Sequence, residues 1–129
     1  MDIHNIPFEN NIFDIVLCNH VLEHVKDDIL ALKEIRRVLK KGGYSILQVP
    51  FYHPLQNKTL EDKSIIDPLE REKKYGQSDH VRKYGKDYNK RLTSIGFKVD
   101  ENNYINKLSE DLKIKYGLSK NEIIFIATK

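Results

Sequence analysis

The sequence predicts an α/β fold, a sheet with helices packed on it, and three observations carry that expectation. Two short apolar runs, "FDIVLC" (Phe13 to Cys18) and "YSILQVP" (Tyr44 to Pro50), have the length and character of strands buried on both faces. Between them "DDILALKEIRRVLKKGG" repeats apolar residues at helical spacing. After a long polar stretch the helix-then-strand order recurs, and the chain ends on the apolar run "EIIFIATK". Strands alternating with helices favour a sheet with helices on its faces over a bundle or an all-β sandwich.

Each element has its own reason. In the first helix Ile29, Leu32, Ile35, Val38 and Leu39 share one face. Asp27 or Asp28 can accept from the free N–H groups at its start, Lys40 and Lys41 suit its negative end, and Gly42-Gly43 stop it. Pro50 ends the second strand. Residues from about 51 to 85 are polar and weakly periodic, which reads as a functional insertion or lid within a single domain spanning 1–129. "KDYNKRLTSIG" predicts a helix, "FKVDEN" a strand and "LSEDLKIKYG" a short helix before a final strand over 122–128. In open sheets of this kind ligands bind at the carboxyl ends of strands, so residues just after Cys18 and just after Val49 are placed to face one.

Composition narrows the function classes. The net charge of +3 is too small and too dispersed to imply nucleic acid. No apolar run approaches the ~20 residues of a membrane span, and "MDIHNIPFEN" lacks the features of a signal peptide. The single cysteine, Cys18, excludes an internal disulfide and fits a cytoplasmic location.

The run "HVLEH" (His20 to His24) has the H-x-x-E-H pattern of one group of zinc peptidases. Such sites need both histidines on a long helix and a third ligand from elsewhere, whereas this pair follows a strand almost at once. His20, Glu23 and His24 are therefore expected to form a pocket wall, with no metal ion. His24 reads equally as a packing residue without ligand contact. In "DHVRKYG" His80, Arg82 and Tyr84 alternate, so an extended segment would present all three on one side. A base, a cation and a phenol together suit an anionic or hydroxylated acceptor, with His80 the candidate general base. A solvated surface strand is the alternative for this run.

The motifs from Asp2 onward resemble the later half of the catalytic domain of class I S-adenosylmethionine-dependent methyltransferases, in particular a small-molecule, type 11-like group. Asp2, Ile6-Pro7-Phe8, Phe13-Asp14, Leu22-Glu23-His24-Val25 and Arg37-Val38-Leu39-Lys40-Lys41-Gly42-Gly43 match in order and spacing, and "YGQSDHVRKYGKDYNKRLTSIGF" looks like a segment of one branch. The resemblance implies a partial Rossmann-like sheet of mixed direction, its last strand inserted antiparallel between its neighbours. It implies S-adenosylmethionine as cofactor, with Asp2 and Ile3 at the adenine and Asn19 and His20 along the methionine side. Phe13 and Asp14 serve the fold.

The family's glycine-rich loop and ribose-binding acid do not occur, because none of the six glycines forms G-x-G. The expectation is thus the C-terminal part of a methyltransferase fold that binds the cofactor weakly or not at all. The acceptor would be a small or saccharide-like molecule. The reading from another class is a non-catalytic remnant or interaction module, and an H-x-x-E-H zinc protein is a remote third. With the earlier strands absent, the strand at 13–18 becomes an unprotected edge, which predicts a homodimer through that edge.

Overall fold

The computed structural model describes residues 1–119 and 122–129. Its main sheet has four strands: β1 (Phe13–Asn19), β2 (Leu39–Gln48), β5 (Lys98–Asn102) and β6 (Ile124–Thr128), in the order β1-β2-β6-β5. β1 runs parallel to β2, and β6 lies antiparallel to both β2 and β5. The final strand is thus inserted between its neighbours against their direction, as the resemblance implied.

Helix α1 (Asp28–Val38) starts at Asp27, whose carboxylate accepts from Leu30 N at 2.9 Å. It buries Ala31, Leu32, Ile35 and Val38 against Cys18, Leu47 and Phe125 of the sheet. The opposite stripe holds the N-terminal arm. Arg37 donates to the carbonyls of Ile6 and Phe8 at 2.8 Å each, and Glu34 accepts from Ile6 N at 2.9 Å. Arg37, which opens the 37–43 motif, therefore ties it to the motif at 6–8.

The helix stops one turn earlier than its sequence suggests. Leu39 is already extended, and Lys40, Lys41, Gly42 and Gly43 belong to β2. The ladder explains the glycines: Phe13 pairs with Leu39 but Ile15 pairs with Tyr44, so β2 bulges by three residues. Gly42 takes φ +78°, and a Cβ on Gly43 would sit 2.9 Å from the carbonyl oxygen of Asp14. Lys40 closes the bulge on the Asp14 carboxylate at 2.8 Å, while the carbonyls near the helix end accept from Lys129 Nζ.

One expectation about β1 needs correcting. Its apolar run suggests burial on both faces, yet Ile15 is 49% and Leu17 66% exposed. α1 and α3 (Tyr88–Thr93) both pack on the other face, leaving this one open beside the outer edge of β1. β1 has no strand partner on that edge among the described residues.

Residues 51–85 carry more structure than their weak periodicity suggests. They contain α2 (Pro68–Tyr75) and a two-stranded antiparallel ladder of β3 (Leu60–Glu61) with β4 (Arg82–Lys83). The helix signals are local: Asp67 caps it, Pro68 opens it and Gly76 ends it at φ +97°. A 3-10 turn (Tyr104–Lys107) and α4 (Glu110–Tyr116) connect β5 to β6. No helix among the described residues is long and apolar enough to cross a membrane.

Candidate functional site

At the carboxyl end of β1 the backbone turns sharply. His20 adopts φ +54°, an uncommon conformation for a side-chain-bearing residue, while its N–H donates to Gln48 O at 2.9 Å. The parallel pairing with β2 therefore persists to the last residue before the turn. The β2–β6 ladder, by contrast, ends at Ile46 with Ile126. Past that point the Gln48 side chain replaces main-chain pairing, accepting from Phe125 N at 2.8 Å and donating to Ile123 O at 3.0 Å. The strands part by the length of a glutamine side chain.

A cavity of about 550 Å³ opens at this parting. Its floor is apolar, with Val49, Phe51, Tyr88 and Phe125, and Phe51 meets Tyr88 and Phe125 at ring distances of 5.9 and 5.5 Å. Polar groups reach it from separate elements: His20 after β1, His53 and Lys86 from the 51–85 region and its exit, Glu101 from β5 and Glu122 before β6. An apolar floor with a few convergent polar groups is the usual construction of a small-molecule site.

His20 is backed by a carboxylate. Its Nδ1 lies 3.5 Å from Glu23 Oε1, and the Glu23 side chain is 2% exposed whereas that of His20 is 59% exposed. A buried acid behind an accessible imidazole favours the tautomer with Nδ1–H toward the acid, which leaves Nε2 as a proton acceptor on the outer side. Cys18, beneath the same turn, is no nucleophile, because burial and then the Glu23 charge push its thiol up to about 11.

The four residues expected at the cofactor divide. His20 lines the cavity, and Asn19 is exposed at the same strand end. Asp2 is exposed and bonded within the arm, accepting from His4 N at 2.9 Å and lying 2.8 Å from His4 Nδ1, contacts that lower its pKa. Ile3 packs on the core beside it. Of the two residues expected on the methionine side of S-adenosylmethionine, His20 thus reaches the cavity and Asn19 stands beside it. Asp2 contacts His4 through Oδ1 alone and is exposed, and neither Asp2 nor Ile3 lines the cavity.

His80, Arg82 and Tyr84 do share one side, and that side faces inward, with exposures of 2%, 0% and 1%. Arg82 donates to the carbonyls of Leu22, Val25 at 2.6 Å and Lys26 at 3.2 Å, and to Glu61 at 2.8 Å. Tyr84 OH donates to Asp28 at 2.8 Å, and Arg91 clamps both Asp28 oxygens at 2.7 Å. Burial raises the Tyr84 pKa far above the usual phenol range, with the Asp28 charge adding to the rise. None of the three lines the cavity.

The sequence pointed to the strand ends after Cys18 and Val49, and both walls of the cavity stand there. Gln48, Tyr88, Glu101 and Glu122 were missed. Gln48 carries a legible signal, a polar residue at the end of an apolar strand. The other three converge from parts of the chain that only the folded sheet brings together.

Comparison with known proteins agrees with this architecture. Residues 1–47 match the family model described as a methyltransferase domain. The demethylmenaquinone methyltransferase of Staphylococcus haemolyticus is 52% identical over 42 residues, 33% of this chain and 18% of that protein. A SAM-dependent methyltransferase of Thermotoga maritima superposes over 98% of this chain and 61% of its own, with TM-score 0.56 and 23% identity. Phosphoethanolamine N-methyltransferase 2 of Haemonchus contortus, solved with S-adenosyl-L-methionine, covers 99% of this chain and 36% of its own, with TM-score 0.57 and 20% identity. The matched segments span only 15–20% of the first curated relatives' lengths. The chain is thus similar to class I S-adenosylmethionine-dependent methyltransferases, in sequence over its first 47 residues and in fold along its length.

Proposed function

We propose that this chain forms the acceptor side of an S-adenosylmethionine-dependent methyltransferase acting on a small, hydroxylated or saccharide-like molecule. The observation that carries the reading is the 550 Å³ cavity at the carboxyl ends of β1 and β2, where open α/β sheets bind ligands. The cofactor, when bound, supplies a sulfonium methyl group that passes to the acceptor as its carbon–sulfur bond breaks. Phe51 and Tyr88 exclude water and orient the acceptor, which is most of what such a transfer needs from a protein. His20 takes the proton of an acceptor hydroxyl at Nε2, and Glu23 steadies the resulting imidazolium. His80 holds this wall in place from behind.

Saturation-transfer NMR with a panel of mono- and disaccharides tests the reading. Binders whose signal falls in both His20→Ala and Phe51→Ala support it. Binding that neither change touches overturns it.

A second reading rests on a separate observation, the outer edge of β1, which has no strand partner among the described residues and lies beside exposed Ile15 and Leu17. In it the chain is a non-catalytic module of the same fold that pairs with a second copy through this edge. Light scattering at high concentration decides it: a dimer is expected, and a monodisperse 15.2 kDa monomer would remove it.

A further inference from the structure

Behind the wall that carries His20, three side chains from two distant segments meet. Glu23 and His24 come from the turn after β1, and His80 comes from the approach to β4. Each offers one donor atom, and these atoms all lie within 4.8 Å of one another. Glu23 is 1% and His80 2% exposed, yet Glu23 Oε2 and His80 Nδ1 have no hydrogen-bond partner among the described residues. Leaving a buried polar atom unpaired is unfavourable, so two in one cluster need an explanation.

The neighbouring contacts show what kind of partner fits. The Tyr75 backbone lies beside the His80 ring, and the tautomer that donates to it from Nε2 leaves the unpartnered Nδ1 as a lone pair. His24 Nδ1 lies 3.2 Å from Asp79 Oδ2 and its Nε2 lies 3.7 Å from Glu23 Oε1, so the tautomer with Nδ1–H on Asp79 directs the Nε2 lone pair toward Glu23. In that tautomer a carboxylate and two imidazole lone pairs converge, with no donor between them among the described residues. A single water has two protons for these three acceptors.

We propose that Glu23, His24 and His80 bind one divalent transition-metal ion of the zinc type. Two imidazoles and one carboxylate suit zinc and its neighbours rather than magnesium or calcium, and three protein ligands leave a fourth position for water. Asp79 and the Tyr75 backbone are the outer partners that such histidines ordinarily have. Tetrahedral bonds of ~2.0–2.1 Å put donor atoms about 3.4 Å apart, so the cluster contracts around the ion. His24, with a side chain 34% exposed, is the ligand free to move inward. This is not the H-x-x-E-H site: His20 faces the cavity, and its place is taken by a histidine 60 positions further on. The ion would join the insertion to the turn beneath His20, whatever reaction the cavity serves.

The test uses the full chain, stripped with chelator and titrated with zinc chloride by calorimetry, then with cobalt(II) followed by visible absorption. The proposal expects one equivalent in the micromolar range or tighter and the cobalt bands of a low-coordinate nitrogen–oxygen site. His24→Ala and His80→Gln should each weaken binding at least about tenfold, with folding checked by circular dichroism. If His80→Gln does not fold, the more exposed His24→Ala carries the test alone. His4→Ala should bind as the parent does. No saturable binding, undiminished binding by His24→Ala, or loss of binding in His4→Ala would each overturn the site. The last result would move the ion to the N-terminal arm.

Discussion

Two short runs of this chain, His20–His24 and His80–Tyr84, look alike in sequence and behave differently in the fold. Both mix histidine with charge, and both lie beside a strand. The first presents His20 to a cavity. The second turns Arg82 and Tyr84 wholly inward and spends them on the protein itself. The reason lies in the first run. A strand that ends in a tight turn leaves carbonyls without partners at Leu22, Val25 and Lys26, and the Arg82 guanidinium meets all three. One run makes the wall and the other supports it.

Removing that support should have the largest effect. Arg82→Met leaves three carbonyls and two carboxylates, Asp28 and Glu61, short of a partner. Urea unfolding should show a loss of about 3–5 kcal/mol. Arg82→Lys should recover only part of it, because an ammonium cannot reproduce the fork of bonds. A stability change below ~1 kcal/mol would mean that the two runs are not mechanically linked.

Tyr84→Phe sharpens the point, since it removes one bond to Asp28 and leaves the two from Arg91. A loss of about 1–2 kcal/mol is expected, with saccharide binding unchanged. Reduced binding without reduced stability would put Tyr84 in the ligand site after all.

His20→Gly should act in the opposite sense. Glycine relieves the left-handed backbone at φ +54°, so stability should stay within ~1 kcal/mol of the parent or rise, while cavity binding falls.

The smallest effect lies in the insertion. Asp62 is held down to about 2 by the Ser64 hydroxyl and backbone N–H, then by Lys74. Its folded pKa lies below its ordinary value of 3.8, so its contribution is complete above that value and is lost as the pH falls toward 2. Tyrosine fluorescence should report loosening of α2 in that window, and Asp62→Asn should flatten the response.

The sheet was legible because its information is local. Apolar runs, helical spacing and the ordered motifs from Asp2 to Gly43 placed β1, α1 and β2 without long-range knowledge. The end of α1 was misread because Gly42-Gly43 is also a helix stop, and only the pairing with Phe13 and Asp14 shows that it serves a bulge. Helix α2 passed unnoticed although Asp67, Pro68 and Gly76 mark its ends. Alternation in "DHVRKYG" gave the shared side of its residues but not its direction. That depends on unpaired carbonyls more than 50 positions away, which no local pattern contains.

The central proposal is that the strand-end cavity is where cofactor and acceptor meet, with Asn19 and His20 on the methionine side of the cofactor. Backbone-amide NMR during titration with S-adenosylhomocysteine tests it directly. The expected result is weak, fast-exchange binding with shifts concentrated at Asn19, His20 and Gln48 to Phe51. Sub-micromolar affinity, or shifts that leave His20 and Phe51 unmoved, would contradict it.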